Sequence, residues 1–191
     1  MGFWTESIGA DPKRQYRFIA EFAGLGGECS WMVKNIDKPS VSLSEASHEY
    51  LNHTFYYPGR VTWNSVSVTL VDPVEPDATA TMMQALADSG YRIPKGYANA
   101  EDLSTVSKSN ATSVLGEVKI RQINSDGKDV EVWKLRNAWI KSVTLSGLDY
   151  SGDSLSEVTM ELRYDFASLT THGDTVNGKL SANTGLWDLS G

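Results

Sequence analysis

The side chains in this chain that could do chemistry are three histidines, one cysteine and a few paired carboxylates. His48 and His53 stand close together in an extended stretch and His172 lies far from both. No HExxH motif appears, and no carboxylate completes a ligand set at metal spacing. The histidines therefore read as solvated or interface residues, with no metal. Asp149 with Asp153, and Glu157 with Glu161, have the spacing that general acid/base work would use. The first pair falls in a turn and the second repeats along the solvent face of an alternating strand, so both read as solvated. Gly24-Leu25-Gly26-Gly27 lacks the following Lys-Ser/Thr and the helix N-terminus that a phosphate loop needs. GxSxG is absent. Cys29, the single cysteine, excludes an internal disulfide framework and a multi-cysteine zinc site, and reads as a small buried apolar residue. The sequons at Asn52 and Asn110 matter only in a secreted chain. This inventory points to no enzyme and no cofactor.

Composition agrees. The 191 residues carry 17 Lys+Arg against 24 Asp+Glu, a net charge of −7. An acidic chain is a poor holder of nucleic acid, because sequence-independent binding relies on cations that neutralise phosphates. It does not stop nucleic acid from passing nearby. The segment MGFWTESIGA has no basic n-region, and no run approaches the ~20 apolar residues that span a bilayer. The chain reads as one soluble, cytosolic domain with no membrane partner and enough length for a real core.

Strands dominate the pattern. Residues 15–22 alternate, with Tyr16, Phe18, Ala20 and Phe22 on one face, and residues 29–34 are the expected hairpin partner. A third extended stretch covers 40–49. Tyr56-Tyr57-Pro58-Gly59 predicts a type II turn leading into 62–72, where Trp63 falls out of step with Val66, Val68 and Leu70 unless a bulge lies near Asn64. One helix is expected at 77–87, burying Met82 and Leu86 and closed by Gly90. Residues 91–114 read as a long loop. Strands at 116–123 and 129–135 flank Ser125-Asp126-Gly127-Lys128, a strong hairpin signal. Another strand covers 138–145. In the last, Val158, Met160, Leu162, Tyr164 and Phe166 face inward while Glu157, Thr159, Glu161, Arg163 and Asp165 face out. The fold class is mostly β: an antiparallel sandwich or barrel with one flanking helix. The domain is expected to end at residue 166, with a Ser/Gly-rich arm over 167–191 anchored by Leu186, Trp187 and Leu189.

Tyr50, Phe55, Tyr56 and Tyr57 crowd one corner, as subunit anchors do. A sugar-binding aromatic platform is the competing reading.

The order YLNHTFYYPGRVTWNSVSVTLVDP, one helix, WKLRNAWIKSVTLSGLDYS and EVTMELRYDF resembles the tail tube protein family of contractile-tailed bacteriophages. The likeness covers 14–166 and rests on Tyr57, Gly59 and Trp63, on Trp133, Asn137 and Trp139, and on Asp149 and Tyr150. It implies a sandwich that assembles into hexameric rings, stacked as a hollow tube in the virion tail and assembled in the host cytoplasm. Its implied partners are the sheath, a tape-measure protein, the baseplate and a tail terminator, with double-stranded DNA passing through unbound. A type VI secretion tube or phage-tail-like injection particle shares that fold. The stacking contact is expected at Ser47, His48, Glu49, Tyr50, Leu51 and Asn52. Glu157, Glu161, Arg163 and Asp165 are the expected lumen or rim residues, since an acidic wall repels phosphate.

Overall fold

Period-two alternation builds the centre of the molecule. In β5 (Val66–Val71), Val66, Val68 and Leu70 are buried while Ser67, Thr69 and Val71 face the other way. In β9 (Glu157–Arg163), Val158, Met160 and Leu162 do the same in register, with Val68 opposite Met160. The computed structural model describes residues 12–25, 30–92 and 104–171. Cys29, His172, Leu186, Trp187, Leu189 and the arm beyond Thr171 lie outside the described residues.

Two four-stranded antiparallel sheets pack face to face. One has the order β1-β6-β7-β10: β1 (Phe18–Phe22), β6 (Val118–Ile123), β7 (Asp129–Arg136) and β10 (Phe166–Thr171). The other has the order β2-β5-β9-β8, adding β2 (Val33–Ile36) and β8 (Trp139–Leu145). Ala20, Phe22, Val118, Ile120, Leu135 and Ala167 from the first meet the β5 and β9 residues of the second in one core. A third, two-stranded sheet pairs β3 (Val41–Tyr50) with β4 (His53–Trp63).

The expected pairing of the first two strands does not occur. β1 pairs with β6 and β2 with β5, so the two belong to opposite layers, and their order in the chain does not make them neighbours. The Asp-Gly hairpin does form between β6 and β7. Gly127 takes φ +74°, and the Asn124 side-chain oxygen accepts from the Asp126 and Lys128 amides at 2.9 Å each.

α1 (Ala78–Asp88) is the expected helix. Asp77 caps it, accepting from the Ala80 amide at 2.8 Å. Asp72 reaches back from the end of β5 to the Ala78 amide at 3.0 Å and the Thr79 hydroxyl at 2.7 Å, which ties helix to sheet. Met82 is buried, whereas Leu86 is exposed; Ala78 and Ala85 complete the packed stripe. A second helix, α2 (Lys108–Leu115), replaces the end of the expected loop. Ser107 caps it, and Ala111 and Leu115, one turn apart, are its buried residues. β9 ends at Arg163. There the chain turns, the Asp165 amide donates to the Arg136 carbonyl, and β10 pairs with β7 in the opposite sheet. Phe166 therefore starts a new strand, partly exposed, and the expected boundary after residue 166 falls inside that strand.

Candidate subunit interface

β3 and β4 form an arm that packs chiefly on itself. Every residue of β3 is exposed, as are most of β4. The hairpin turn is Leu51-Asn52, with Leu51 at φ +54°. It is not at Pro58-Gly59, through which β4 runs on. Proline is tolerated there because, among the described residues, β4 has no third strand to receive an amide bond. Gly59 with Arg60 forms a bulge opposite Ser44. A side chain at Gly59 would meet the Ser44 hydroxyl oxygen at 2.3 Å, so only glycine allows this approach, and the hydroxyl accepts from the Arg60 amide at 2.8 Å.

Asn64 fixes the root of the arm. Its backbone amide donates to the Ser40 carbonyl at 2.9 Å, and its side-chain amide donates to the Ser40 and Ser42 hydroxyls at 3.0 Å. The chain leaves the arm here and enters β5. Trp63 and Val66 are out of step because they lie in different sheets, not across a bulge. Trp63 instead packs on Tyr164, ring centres 5.9 Å apart.

Directly opposed residues share a face of the arm. Toward the tip, one face carries Glu45, Ser47 and Glu49 with Pro58, Tyr56 and Thr54. The other carries Ala46, His48 and Tyr50 with Tyr57, Phe55 and His53, the last two rings in edge contact at 4.7 Å. Of the six tip residues singled out in the sequence, Leu51 and Asn52 form the turn and the other four alternate between faces. Leu51 is 89% exposed, Tyr56 67% and Tyr50 64%; Val41, Leu43 and Val61 add exposed apolar surface nearer the root. An isolated two-stranded hairpin is marginal in water, and exposed apolar side chains gathered on one element are the kind of surface that subunit contacts use. Val41, Leu43 and Val61 are arm residues missed in the sequence; their signal is alternation in two strands that no third strand covers among the described residues.

The residues that carry the resemblance are not one site. Tyr57 lies on the arm and Gly59 in its bulge, while Trp133 lies on β7. Trp63, Asn137 and Trp139 gather where the arm joins the sandwich. Asn137, at φ +54°, donates to Asp165 at 2.8 Å. Asp149 and Tyr150 belong to the connection between β8 and β9, at the opposite end of the sheet from the arm. The Ser151 amide and hydroxyl both donate to Asp149 and hold its carboxyl below the usual range. Tyr150 is fully exposed beside exposed Leu148 and Leu155.

Glu157, Thr159, Glu161 and Arg163 share the outward face of β9 with Ser67, Thr69, Ser142 and Thr144 from its neighbours, a surface rich in hydroxyls. Glu157 pairs with Lys34. Glu161 accepts from Lys141 at 2.9 Å, from Ser65, and from Ser142 at 3.3 Å; the Lys141 bond leads in keeping its carboxyl acidic. Asp165 does not share this face. It sits in the turn past the strand end, bound by Lys108 at 2.7 Å.

Among the described residues, no three His, Cys, Asp or Glu side chains converge as a metal site, and no helix is long and apolar enough to cross a membrane.

No family model and no curated protein matches the chain. Solved structures do. One is a chain of the 6-fold symmetrised baseplate of the anti-feeding prophage, 16% identical, which superimposes with a TM-score of 0.60 over 84% of this chain and 97% of its own. A chain of that particle's tube-terminating cap, 17% identical, gives 0.60 over 90% and 99%. A chain of the sheath–tube complex of an extracellular contractile injection system, 15% identical, gives 0.58 over 84% and 92%. The chain thus has the fold of proteins that build contractile injection particles, and the resemblance read from its motifs holds at the level of fold.

Proposed function

We propose that this chain is the structural subunit of an inner tail tube, in which six copies close into a ring and the rings stack into a hollow conduit. The observation that carries this reading is the projecting arm, ten residues of β3 against eleven of β4, which exposes aromatic and aliphatic side chains along its length and is left uncovered by the other described residues. A fold shared with chains of contractile particles supports it. So do the two sheets, each with outer edges unpaired among the described residues that ring closure would satisfy.

The order of motifs favours a contractile-tailed phage. The tube would then lie inside a sheath, between baseplate and terminator, around a tape-measure protein, and would conduct double-stranded DNA. Hydroxyls and paired carboxylates on the outward face of β5, β9 and β8 suit a wall that DNA slides past, since they offer phosphate few unpaired cations. Arg163 sits at the rim of that face. The stacking contact falls on the tip, Ser47 to Asn52.

A second reading, the tube of a phage-tail-like injection particle that delivers protein, is favoured by the sources of the similar structures, while a type VI secretion tube rests on the resemblance alone. Both readings require self-assembly. Sedimentation velocity of the purified chain tests it: a hexamer and its multiples are expected as concentration rises, and a monomer at every concentration contradicts both.

A further inference from the structure

The arm needs a receiving surface. A concavity of about 600 Å³ opens where the arm joins the sandwich, lined by Val61 and Trp63, by Val106, Lys108 and Ala111 of the α2 region, and by Trp139, with Arg163, Tyr164 and Asp165 at its edge. Resting on the tube reading above, we infer that this concavity is the seat for the arm of a second copy of the chain, and that Glu45 and Glu49 of the incoming arm meet Arg163.

Charge identifies the occupant. Within the concavity Lys108 and Asp165 neutralise one another at 2.7 Å, which leaves Arg163 as its unbalanced cation. Arg163 makes no ion pair among the described residues, although β9 carries two glutamates. Those are already taken, Glu157 by Lys34 and Glu161 by Lys141. Glu45 and Glu49 also make no ion pair among the described residues. They lie on one face of the arm, two residues of β3 apart on either side of Ser47 and opposite Pro58 and Thr54. An acidic arm face and a cationic seat of the same chain, each unpaired at home, complement one another between copies.

The rest of the surfaces fit. Trp63, Trp139 and Val106 give the seat an apolar floor, and Tyr56, on the same face as the glutamates, gives the arm an aromatic anchor. Arm and seat are different patches, so the contact is heterologous and repeats from copy to copy, as a closed ring or a stack requires. Both lie at one end of the sandwich. A copy that gives its arm to one neighbour receives an arm from another.

Charge reversal tests this, with assembly read by negative-stain microscopy and sedimentation, and folding by circular dichroism. Glu45→Arg with Glu49→Arg should abolish rings and tubes, and so should Arg163→Glu, with the fold retained in each. The three substitutions together should restore assembly to at least half the wild-type yield. Persistence of tubes in either reversed variant, or failure of the combined variant to recover, overturns the seat. Deletion of residues 44–59 separates this from the broader reading. If the deleted chain still forms tubes, the arm is not an assembly element and the tube reading loses its main support; if it does not, while Arg163→Glu assembles normally, only the seat is wrong.

Discussion

Glu131 ties the segment before β1 and the link between β2 and β3 to β7. It is buried, and burial by itself would raise its carboxyl pKa; bonds from Lys13 at 2.6 Å, Lys38 at 2.9 Å and the Trp133 ring nitrogen outweigh that and bring it down to about 2. Those lysines come from the segment before β1 and the link between β2 and β3, so one carboxylate joins three parts of the chain. A depressed folded pKa contributes stability that is present above the ordinary value of 4.5 and is lost as pH falls toward 2. With both lysines half in water, the contribution is roughly 2 kcal/mol. Thermal melts should show Glu131→Gln less stable by about that amount at pH 7, the deficit closing as pH drops from about 5 toward 2. A deficit independent of pH would mean that the charge is not what stabilises this junction. Met82 gives a simpler test. It is 1% exposed under α1, so Met82→Asp should cost about 3 kcal/mol or more, read as a lower melting temperature, and an unchanged melt would place the side chain outside the core.

At the scale of the element, the arm is what the fold adds to an ordinary sandwich. Tyr50→Asp with Leu51→Asp changes residues exposed at its tip, so melting should shift by little while tubes are lost. Normal tubes from that variant would remove the tip from the stacking contact. The extended character of 40–49 was legible in the sequence, and so were β5, the β6–β7 hairpin and β9, because each has a clean alternation or a turn with one favoured conformation. The arm's turn was not. Pro58-Gly59 has the chemistry of a turn, but a strand whose second edge has no neighbour among the described residues accepts proline, and the glycine serves a bulge. α2 escaped notice because only Ala111 and Leu115 of its eight residues are buried, too few for a visible period. β10 was hidden because Ser168 and the threonines after it read as linker, although a strand bonded to β7 holds them. Leu86 has the spacing of a core residue, but the small residues Ala78 and Ala85 let the helix sit close and leave it exposed.

At the scale of the whole molecule, the two sheets differ in outward chemistry. The β1-β6-β7-β10 sheet shows ion pairs, Arg121 with Glu21 and Asp129, and Lys119 with Glu117. The β2-β5-β9-β8 sheet adds a band of hydroxyls, Ser67, Thr69, Ser142, Thr144 and Thr159, to its own pairs, Glu157 with Lys34 and Glu161 with Lys141. If the second lines the channel, Glu157→Lys with Glu161→Lys should leave tubes intact and create retention of double-stranded DNA that weakens steeply with salt, because each added cation releases counterions on binding. Reversed tubes that bind DNA no better than the wild type at low salt would move the channel wall to the other sheet. The account as a whole rests on assembly, and electron microscopy of the purified protein measures that directly. It predicts six-fold rings with a central hole, stacking end to end into tubes; a field of separate monomers at high concentration, or assemblies without six-fold symmetry and a hollow centre, would contradict it.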